Sequence, residues 1–250
     1  MADMALAVLA HPDDAEFLCA GTLLRLAREH GWCVHVATMT PGDCGSAEHS
    51  AEEIARIRRA EAATAAARMG GAYHCLEERD LFVVYDQSSV AKVTDLLRLV
   101  KPRIVFTHSP DDYHLDHEMT SRLVRAAAFN ASVPLFLADQ GGPAATDQIP
   151  HLYYCDPIEG KDLLGRPVPA EFRIDISRQI DEKAELLACH ASQRNWLLKH
   201  HGMDQYLNAM RNWASVRGRE GGVDFAEGFR QHLGHSYPQD NLLGELLGTV

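Results

Sequence analysis

Two short segments of the chain concentrate the residue types that bind metal ions and transfer protons. They are His11-Pro12-Asp13-Asp14-Ala15-Glu16 and His108-Ser109-Pro110-Asp111-Asp112-Tyr113-His114-Leu115-Asp116-His117. Imidazole nitrogens and carboxylate oxygens both bind Zn²⁺, and catalytic zinc sites usually combine three protein ligands with a water molecule. His11, Asp14 and one histidine of the second segment would form such a set of ligands.

The remaining residues of the two segments have the chemistry to move protons. Asp13 would lie beside the metal and could take a proton from the bound water, because the metal lowers the pKa of that water towards about 7. His114 and His117 would face the same way on a helix, so that one could bind the metal while the other reaches the oxyanion or the leaving group. Asp116 does not share a helical face with His114 and could orient it only where a helix begins.

Each segment also has an ordinary explanation. A Pro-Asp-Asp sequence after a strand is a common helix start, because Asp caps the N-terminus and interacts favourably with the helix dipole. His and Asp are also frequent in surface turns. The two segments together, each following a core strand, are much more specific for a metal site than either one alone.

Alternating strands and helices must position these segments. The sequence predicts strands at Ala5–Ala10, Cys33–Met39, Ala72–Cys75, Leu81–Val84, Arg103–Thr107, His151–Cys155 and Phe172–Ile176. Helices are predicted at Ala15–His30 with Gly31 as C-cap, Glu48–Met69, Ser88–Val100, His117–Asn130, Ser177–Cys189 and Met203–Arg217, which Gly218–Gly222 would end. This order predicts a single α/β domain over residues 1–250, with a Rossmann-like, doubly wound, mostly parallel sheet, helices on both faces and a C-terminal helical elaboration.

The predicted topology brings the two segments together. Ligands of open parallel sheets bind at the carboxyl ends of the strands. The first segment follows the strand at Ala5–Ala10 and the second follows the strand at Arg103–Thr107. If these strands are neighbours, both segments border one cleft.

Composition excludes several classes of function. The chain has 24 Lys and Arg against 35 Asp and Glu, a net charge of −11, which disfavours nucleic acid and anionic membranes as partners. Its apolar runs are far shorter than the roughly 20 residues of a membrane span, and the N-terminus lacks the features of a secretory signal. The six cysteines contain no C-x-x-C pair, which favours a reducing cytoplasm. Neither G-x-S-x-G nor G-x-G-x-x-G occurs where a serine hydrolase or a dinucleotide-binding protein needs it.

The chain resembles a known family, the PIG-L/LmbE-like deacetylases. The resemblance rests on His11-Pro12-Asp13-Asp14-x-Glu16 with Gly21 downstream, and on His114-x-Asp116-His117. Supporting matches are Thr40-x-Gly42-Asp43, Arg58-x-x-Glu61 and His190-x-Ser192-Gln193. Ala20 stands where many members have glycine, which should affect helix packing more than chemistry. The family uses zinc to remove acetyl groups from N-acetylglucosamine conjugates, including sugar precursors of thiols and GlcNAc-phosphatidylinositol.

The resemblance implies a role for each residue. The implied zinc ligands are His11, Asp14 and His117. Asp13 is the implied general base, which directs the zinc-bound water at the acetamide carbonyl. His114 would stabilise the oxyanion or protonate the leaving amine, with Asp116 as its partner. Fe²⁺ could also occupy a site of two histidines and one aspartate.

Two further residues are candidates for substrate binding. Arg58 would bind a polar or anionic part of the substrate, although an Arg- and Glu-rich helix is usually a solvated, ion-paired face. Asp112 either forms a turn or lines the cleft. Ser192 and Gln193 could close the pocket or serve packing, and His200-His201 is expected in an exposed polar loop.

The sequence therefore predicts a cytoplasmic, zinc-dependent N-deacetylase acting on a small N-acetylglucosamine-type sugar conjugate. The resemblance also implies a homo-oligomer. Alternatives are an amidase acting on a thiol-sugar conjugate, a deacetylase of another small N-acyl substrate, and a catalytically inert zinc-dependent binding module.

Overall fold

A computed structural model describes residues 2–137, 141–194 and 205–250, and one sheet runs through all three ranges. Its strands are β1 (Met4–Leu9), β2 (Cys33–Thr38), β3 (Ala72–Cys75), β4 (Ile104–Thr107), β5 (His151–Cys155), β6 (Phe172–Asp175) and β7 (Ala226–Gln231). Their order is β3-β2-β1-β4-β5-β7-β6. The first five strands are parallel, β7 is antiparallel to β5, and β6 is antiparallel to β7. The prediction of a doubly wound, mostly parallel α/β sheet is confirmed.

Helices cover both faces of this sheet. They are α1 (Asp14–Leu18), α2 (Ala20–His30), α3 (Ala51–Arg68), α4 (Gln87–Val100), α5 (Leu115–Asn130), α6 (Ile180–Leu187), α7 (Gln205–Gly221) and α8 (Leu242–Leu247). Alternate side chains of β1 enter two separate cores: Leu9 packs with α1, α2 and α6, whereas Val8 packs with α4 and α5. A strand buried on both faces needs a continuous apolar sequence, which explains why β1 was recognisable.

The strand predicted at Leu81–Val84 is wrong, because this stretch is a loop. Leu81 has a φ of +66°, which an extended strand does not tolerate. The backbone amides of Leu81 and Val83 donate to the carboxylate of Asp116 rather than to a neighbouring strand. A side chain from a distant helix therefore decides the conformation of this apolar run.

The helix predicted at Ala15–His30 is broken at Cys19, which separates α1 from α2. Glu227 of β7 accepts hydrogen bonds from the amides of Gly21 and Thr22, in the first turn of α2. A Cβ on Gly21 would lie 2.7 Å from the side chain of Ile176, so the start of α2 needs glycine there for close packing. Gly31 ends α2 in the left-handed conformation, as predicted.

The C-terminal third departs most from the prediction. Helix α6 begins at Ile180 instead of the predicted Ser177, whose hydroxyl donates to Asp175. Helix α7 continues to Gly221 instead of ending at Gly218, and its predicted start at Met203 lies outside the described residues. The sequence also gave no sign of β7, because its buried Glu227 and Gln231 are atypical of a central strand.

Within the described ranges, no helix combines the length and the apolar character that crossing a membrane requires.

Candidate metal and catalytic site

The parallel pairing of β1 with β4 places the two His- and Asp-rich segments side by side at the carboxyl edge of the sheet. Between them lies a cavity of about 540 Å³, which is within the usual range for small-molecule sites. It is lined by His11, Asp13, Asp14, Phe17, Cys44, Gly45, Arg58, Asp80, Leu81, Tyr113, His114, His117, Ile158, Gln193, Tyr206 and Ala209. Six of the eight site residues singled out from the sequence therefore border one cavity.

The three implied zinc ligands converge on one oxygen. Oδ2 of Asp14 lies 3.4 Å from Nδ1 of His11 and 3.7 Å from Nε2 of His117. One donor atom from each of the three residues falls within 4.8 Å of the other two. His114 instead groups with His11 and Asp116 in the same manner. Both sets contain two histidines and one carboxylate, the donor types that suit Zn²⁺.

A buried carboxylate holds the outer nitrogen of each histidine in the first of these two sets. Nε2 of His11 lies 3.1 Å from Asp80 and 3.3 Å from Asp116, and Nδ1 of His117 lies 3.0 Å from Asp112. Histidine ligands of metals usually donate their other N–H to a carboxylate, which fixes the tautomer and turns the remaining lone pair inward. The donor set and its supports therefore fit a bound zinc ion.

The charges of the site also favour a cation at this position. The pKa of His11 is raised well above its usual value, because hydrogen bonds to Asp116, Asp14 and Asp80 outweigh the opposing effect of burial. The pKa of Asp14 is held well below its usual value: burial raises it, but the neighbouring His117 and His108 lower it more. The carboxylates thus create a field that stabilises positive charge between them.

Asp13 sits in a strained position next to these ligands. It precedes α1 with a φ of +106°, a region that non-glycine residues rarely adopt. Its Oδ2 accepts a 2.5 Å hydrogen bond from the hydroxyl of Tyr206 and lies 3.4 Å from Nη2 of Arg58. Burial raises the pKa of Asp13, although Arg58 opposes this. With Oδ2 engaged, Oδ1 is the oxygen left to accept a proton.

Arg58 is buried, so the interpretation of its helix as a solvated, ion-paired face does not apply to it. Its Nη2 donates to the carbonyl of Pro12 at 2.6 Å, and its Nη1 faces the carbonyl of Gly42. A side chain at position 42 would collide with the guanidinium, so glycine is needed there. Arg58 therefore holds the loop that carries Asp13. Its predicted contact with substrate stays a prediction, supported by its position on the cavity wall.

His114 and Asp116 are arranged differently from the implied pairing. His114 is the N-cap of α5, and its Nδ1 accepts a hydrogen bond from the backbone amide of Asp116 at 3.2 Å. The carboxylate of Asp116 turns away to accept from Leu81 and Val83, and it also contacts His11. A capping side chain bonds the amide two or three residues ahead, which explains why the backbone, and not the carboxylate, is the partner of His114.

Asp112 lies behind the site and does not line the cavity. Its Oδ1 accepts from the amide of His114 and contacts Nδ1 of His117. The structure thus places it as the support of His117, and its contact with substrate stays a prediction. Its burial follows from being folded under the start of α5.

Several residues of the site were missed from the sequence. His108 is fully buried, stacks on His117 with ring centroids 3.8 Å apart and contacts Asp14; burial lowers its pKa to about 4. Tyr206 reaches Asp13 from α7, and no sequence signal connects the two. Ser192 bonds Glu61 of α3 through its amide and hydroxyl, whereas Gln193 lines the cavity. His200-His201 lies outside the described residues.

Comparison with known proteins identifies a family and several enzymes to which this chain is similar. Residues 6–128, about half of the chain, match the PIG-L family, described as GlcNAc-PI de-N-acetylase. A 4-oxalmesaconate hydratase from Pseudomonas putida is 25% identical, over 90% of this chain and 88% of the hydratase. A 1D-myo-inositol 2-acetamido-2-deoxy-alpha-D-glucopyranoside deacetylase from Rhodococcus opacus is 27% identical, over 75% of this chain and 80% of the deacetylase.

Among solved structures, the N,N'-diacetylchitobiose deacetylase from Pyrococcus horikoshii superposes with a TM-score of 0.79 and 25% identity. The match covers 96% of this chain and 89% of that one. The prediction of an enzyme related to deacetylases, which act on amide C–N bonds, is confirmed by these relatives. The matched region contains both His- and Asp-rich segments, and the chain belongs to the PIG-L family.

Proposed function

We propose that the protein is a zinc-dependent hydrolase that removes the N-acetyl group from an N-acetylglucosamine-type sugar conjugate. The observation that carries this proposal is the position of Asp13, which lines the cavity beside the His11, Asp14 and His117 set and is held there through Oδ2 by Tyr206 and Arg58. A site that only stores a metal has no need of a strained carboxylate next to the ligands.

The side chains divide the work of amide hydrolysis. A zinc ion held by His11, Asp14 and His117 would supply Lewis acidity and would lower the pKa of a bound water. Oδ1 of Asp13 accepts the proton of the attacking water, while Tyr206 and Arg58 hold Oδ2 in place. His114, whose Nδ1 is occupied by a backbone amide, presents Nε2 to stabilise the oxyanion or pass a proton to the leaving amine.

Hydration of an unsaturated acid is the second candidate. It is favoured by the hydratase relative, which matches more of this chain than the inositol deacetylase does. Both reactions need an activated water and a base. The cavity gives the first candidate more support, since Arg58 is the only Arg or Lys among the described residues lining it and is already engaged. A substrate with several carboxylates would meet Asp13, Asp14 and Asp80 there.

The test is to load the purified chain with zinc and measure acetate release from N-acetylglucosamine and its glycosides. The same protein is offered unsaturated dicarboxylates, and loss of their ultraviolet absorbance reports hydration. Acetate release that requires both zinc and Asp13 supports the proposal. Hydration without acetate release would replace it with the second candidate. Release of an amino acid from an aminoacyl sugar would indicate an amidase, and zinc binding without any turnover would indicate an inert module.

A small, neutral sugar conjugate is the proposed partner, and Fe²⁺ is the alternative metal. The cytoplasmic location is supported by free cysteines at all six positions. The single-domain organisation and the homo-oligomer also stay predictions.

A further inference from the structure

A loop beside the cavity exposes an unusual amount of apolar surface. We define residues 81–85 as the apolar loop; it precedes α4 and contains Leu81, Phe82, Val84 and Tyr85, which are 49–61% exposed. Val83 alone turns inward and is 3% exposed. Contiguous exposed apolar side chains commonly mark binding surfaces.

The apolar loop is fixed to the metal site. The same oxygen of Asp116 that accepts from the amide of Leu81 at 2.8 Å lies 3.3 Å from His11. Leu81 is held in the left-handed region, which disfavours residues with a Cβ. Strain of this kind persists where the surroundings impose it, and it is concentrated at functional sites.

Leu81 and Tyr113 both line the cavity, and we refer to these two residues as its wall. The ring of Tyr113 stands nearly perpendicular to the rings of His114 and His117, at 89° and 81°, and remains 62% exposed. The wall is therefore continuous with the catalytic residues on the side of His114. The backbone amide of Leu81 donates to Asp116 and is therefore not free to donate to a ligand in the cavity.

We propose that this wall binds an apolar substituent, aryl or alkyl, carried by the amine part of the substrate. This inference rests on the proposed function, because the amine leaves on the side of His114. An N-acetylated sugar with an apolar aglycone would cover Leu81 and Tyr113, whereas a polar aglycone would leave them exposed to water. The favoured substrate class is thus an apolar glycoside of an N-acetylated amino sugar.

The test compares two glycosides of N-acetylglucosamine, one phenyl and one glyceryl. The zinc-loaded parent should show a kcat/KM about tenfold higher for the phenyl glycoside, the scale of selectivity available to an apolar pocket. Leu81→Asn should remove most of this preference. Asn tolerates the left-handed conformation better than Leu, so the backbone of the loop should be retained. The control Leu99→Asn replaces a similarly exposed leucine at the far end of α4 and should keep the preference.

Binding measurements in a catalytically inactive variant test the apolar wall independently of the proposed reaction. In a zinc-loaded Asp13→Asn background, calorimetry should show Kd for the phenyl glycoside rising about tenfold on Leu81→Asn. If no glycoside is hydrolysed, the proposed function fails, and these Kd values still decide the inference. Equal Kd values with and without Leu81 would overturn it. So would a change of oligomeric state on Leu81→Asn, measured by light scattering, because the loop would then cover a second copy of the chain.

Discussion

Two buried carboxylate clusters in this protein differ in how completely their oxygens are used. Glu227 accepts four hydrogen bonds: Oε1 from the amide of Gly21 and from Lys183, and Oε2 from the amide and hydroxyl of Thr22. Lys183 is almost fully buried, so the pair is closed to solvent. Asp13, in contrast, lines a cavity, and its contacts with Tyr206 and Arg58 both use Oδ2.

The difference separates carboxylates that only stabilise the fold from carboxylates that can take part in binding or catalysis. A buried carboxylate with all its acceptor positions filled fixes its surroundings and has no capacity left for a ligand. Near the cavity, Oδ2 of Asp112 and Nε of Arg58 are buried without a hydrogen-bond partner among the described residues. Burying such groups without a partner costs stability, which is expected where a site must bind something else.

The largest effect is expected on activity from Asp13→Asn. Removing a general base should lower kcat by roughly 10²–10⁴-fold. Zinc content and the melting temperature should stay near those of the parent, because Asn can still accept from Tyr206. Steady-state acetate release, metal analysis and thermal melts measure the three quantities. Full activity in this variant would show that Asp13 is another structural carboxylate.

Glu227→Gln should lower stability and leave activity unchanged, the opposite of Asp13→Asn. Removing one partner of a buried ion pair costs about 3–5 kcal/mol, because Lys183 would be left buried and uncompensated. Denaturant titration should show this loss of unfolding free energy, while the folded enzyme keeps its zinc and its specific activity. The control Glu182→Gln breaks the more exposed pair with Arg28 and should cost at most about 1 kcal/mol. A loss of kcat without a loss of stability would contradict the structural role of Glu227.

Asp112→Asn tests a carboxylate that is intermediate between the structural Glu227 and the proposed base Asp13. It supports His117 but has an unpaired oxygen, so its loss should weaken zinc affinity by about 10–100-fold. Competition with a fluorescent chelator measures the affinity. The neighbouring Asp111→Asn is the matched control, since Asp111 is exposed and should leave the affinity unchanged. An unchanged affinity in Asp112→Asn would remove the support we assign to it.

The sequence was sufficient where the signal is local. The apolar run of β1 and the His- and Asp-rich segment after it fall on neighbouring residues, so strand, edge and chemistry could be predicted together. The choice between His114 and His117 as the proposed metal ligand was different. It depends on Asp112 reaching Nδ1 of His117 while His114 caps α5, and spacing alone does not distinguish these two geometries.

The sequence was insufficient where a distant partner decides the outcome. Leu81–Val84 has the composition of a strand, but Asp116 takes its amides. Glu227 makes β7 look polar until Lys183 is placed beside it. Tyr206 reaches Asp13 across 193 residues of chain. Each of these is a tertiary contact that overrides a local preference.

The smallest predicted effect is on stability, and it concerns a pair of histidines that contact each other and not a carboxylate. Nδ1 of His35 lies 2.9 Å from Nε2 of His74 across β2 and β3. Burial lowers the pKa of both, and His35 lowers that of His74 further, the reverse of His11. The unfolded chain therefore binds more protons just below pH 6.5, so this contribution to stability is present above that pH and is lost as the pH falls.

Unfolding free energies of the parent and His74→Gln, measured from about pH 7.5 to 5, isolate this contribution. The parent should lose more stability than the variant over that range, by less than about 1 kcal/mol, because both rings are half-exposed and screened by solvent. A parent that gains stability relative to the variant on acidification would mean that the pair holds a proton, as His11 does among its carboxylates. The contrast between imidazoles facing carboxylates and imidazoles facing each other would then fail at its simplest example.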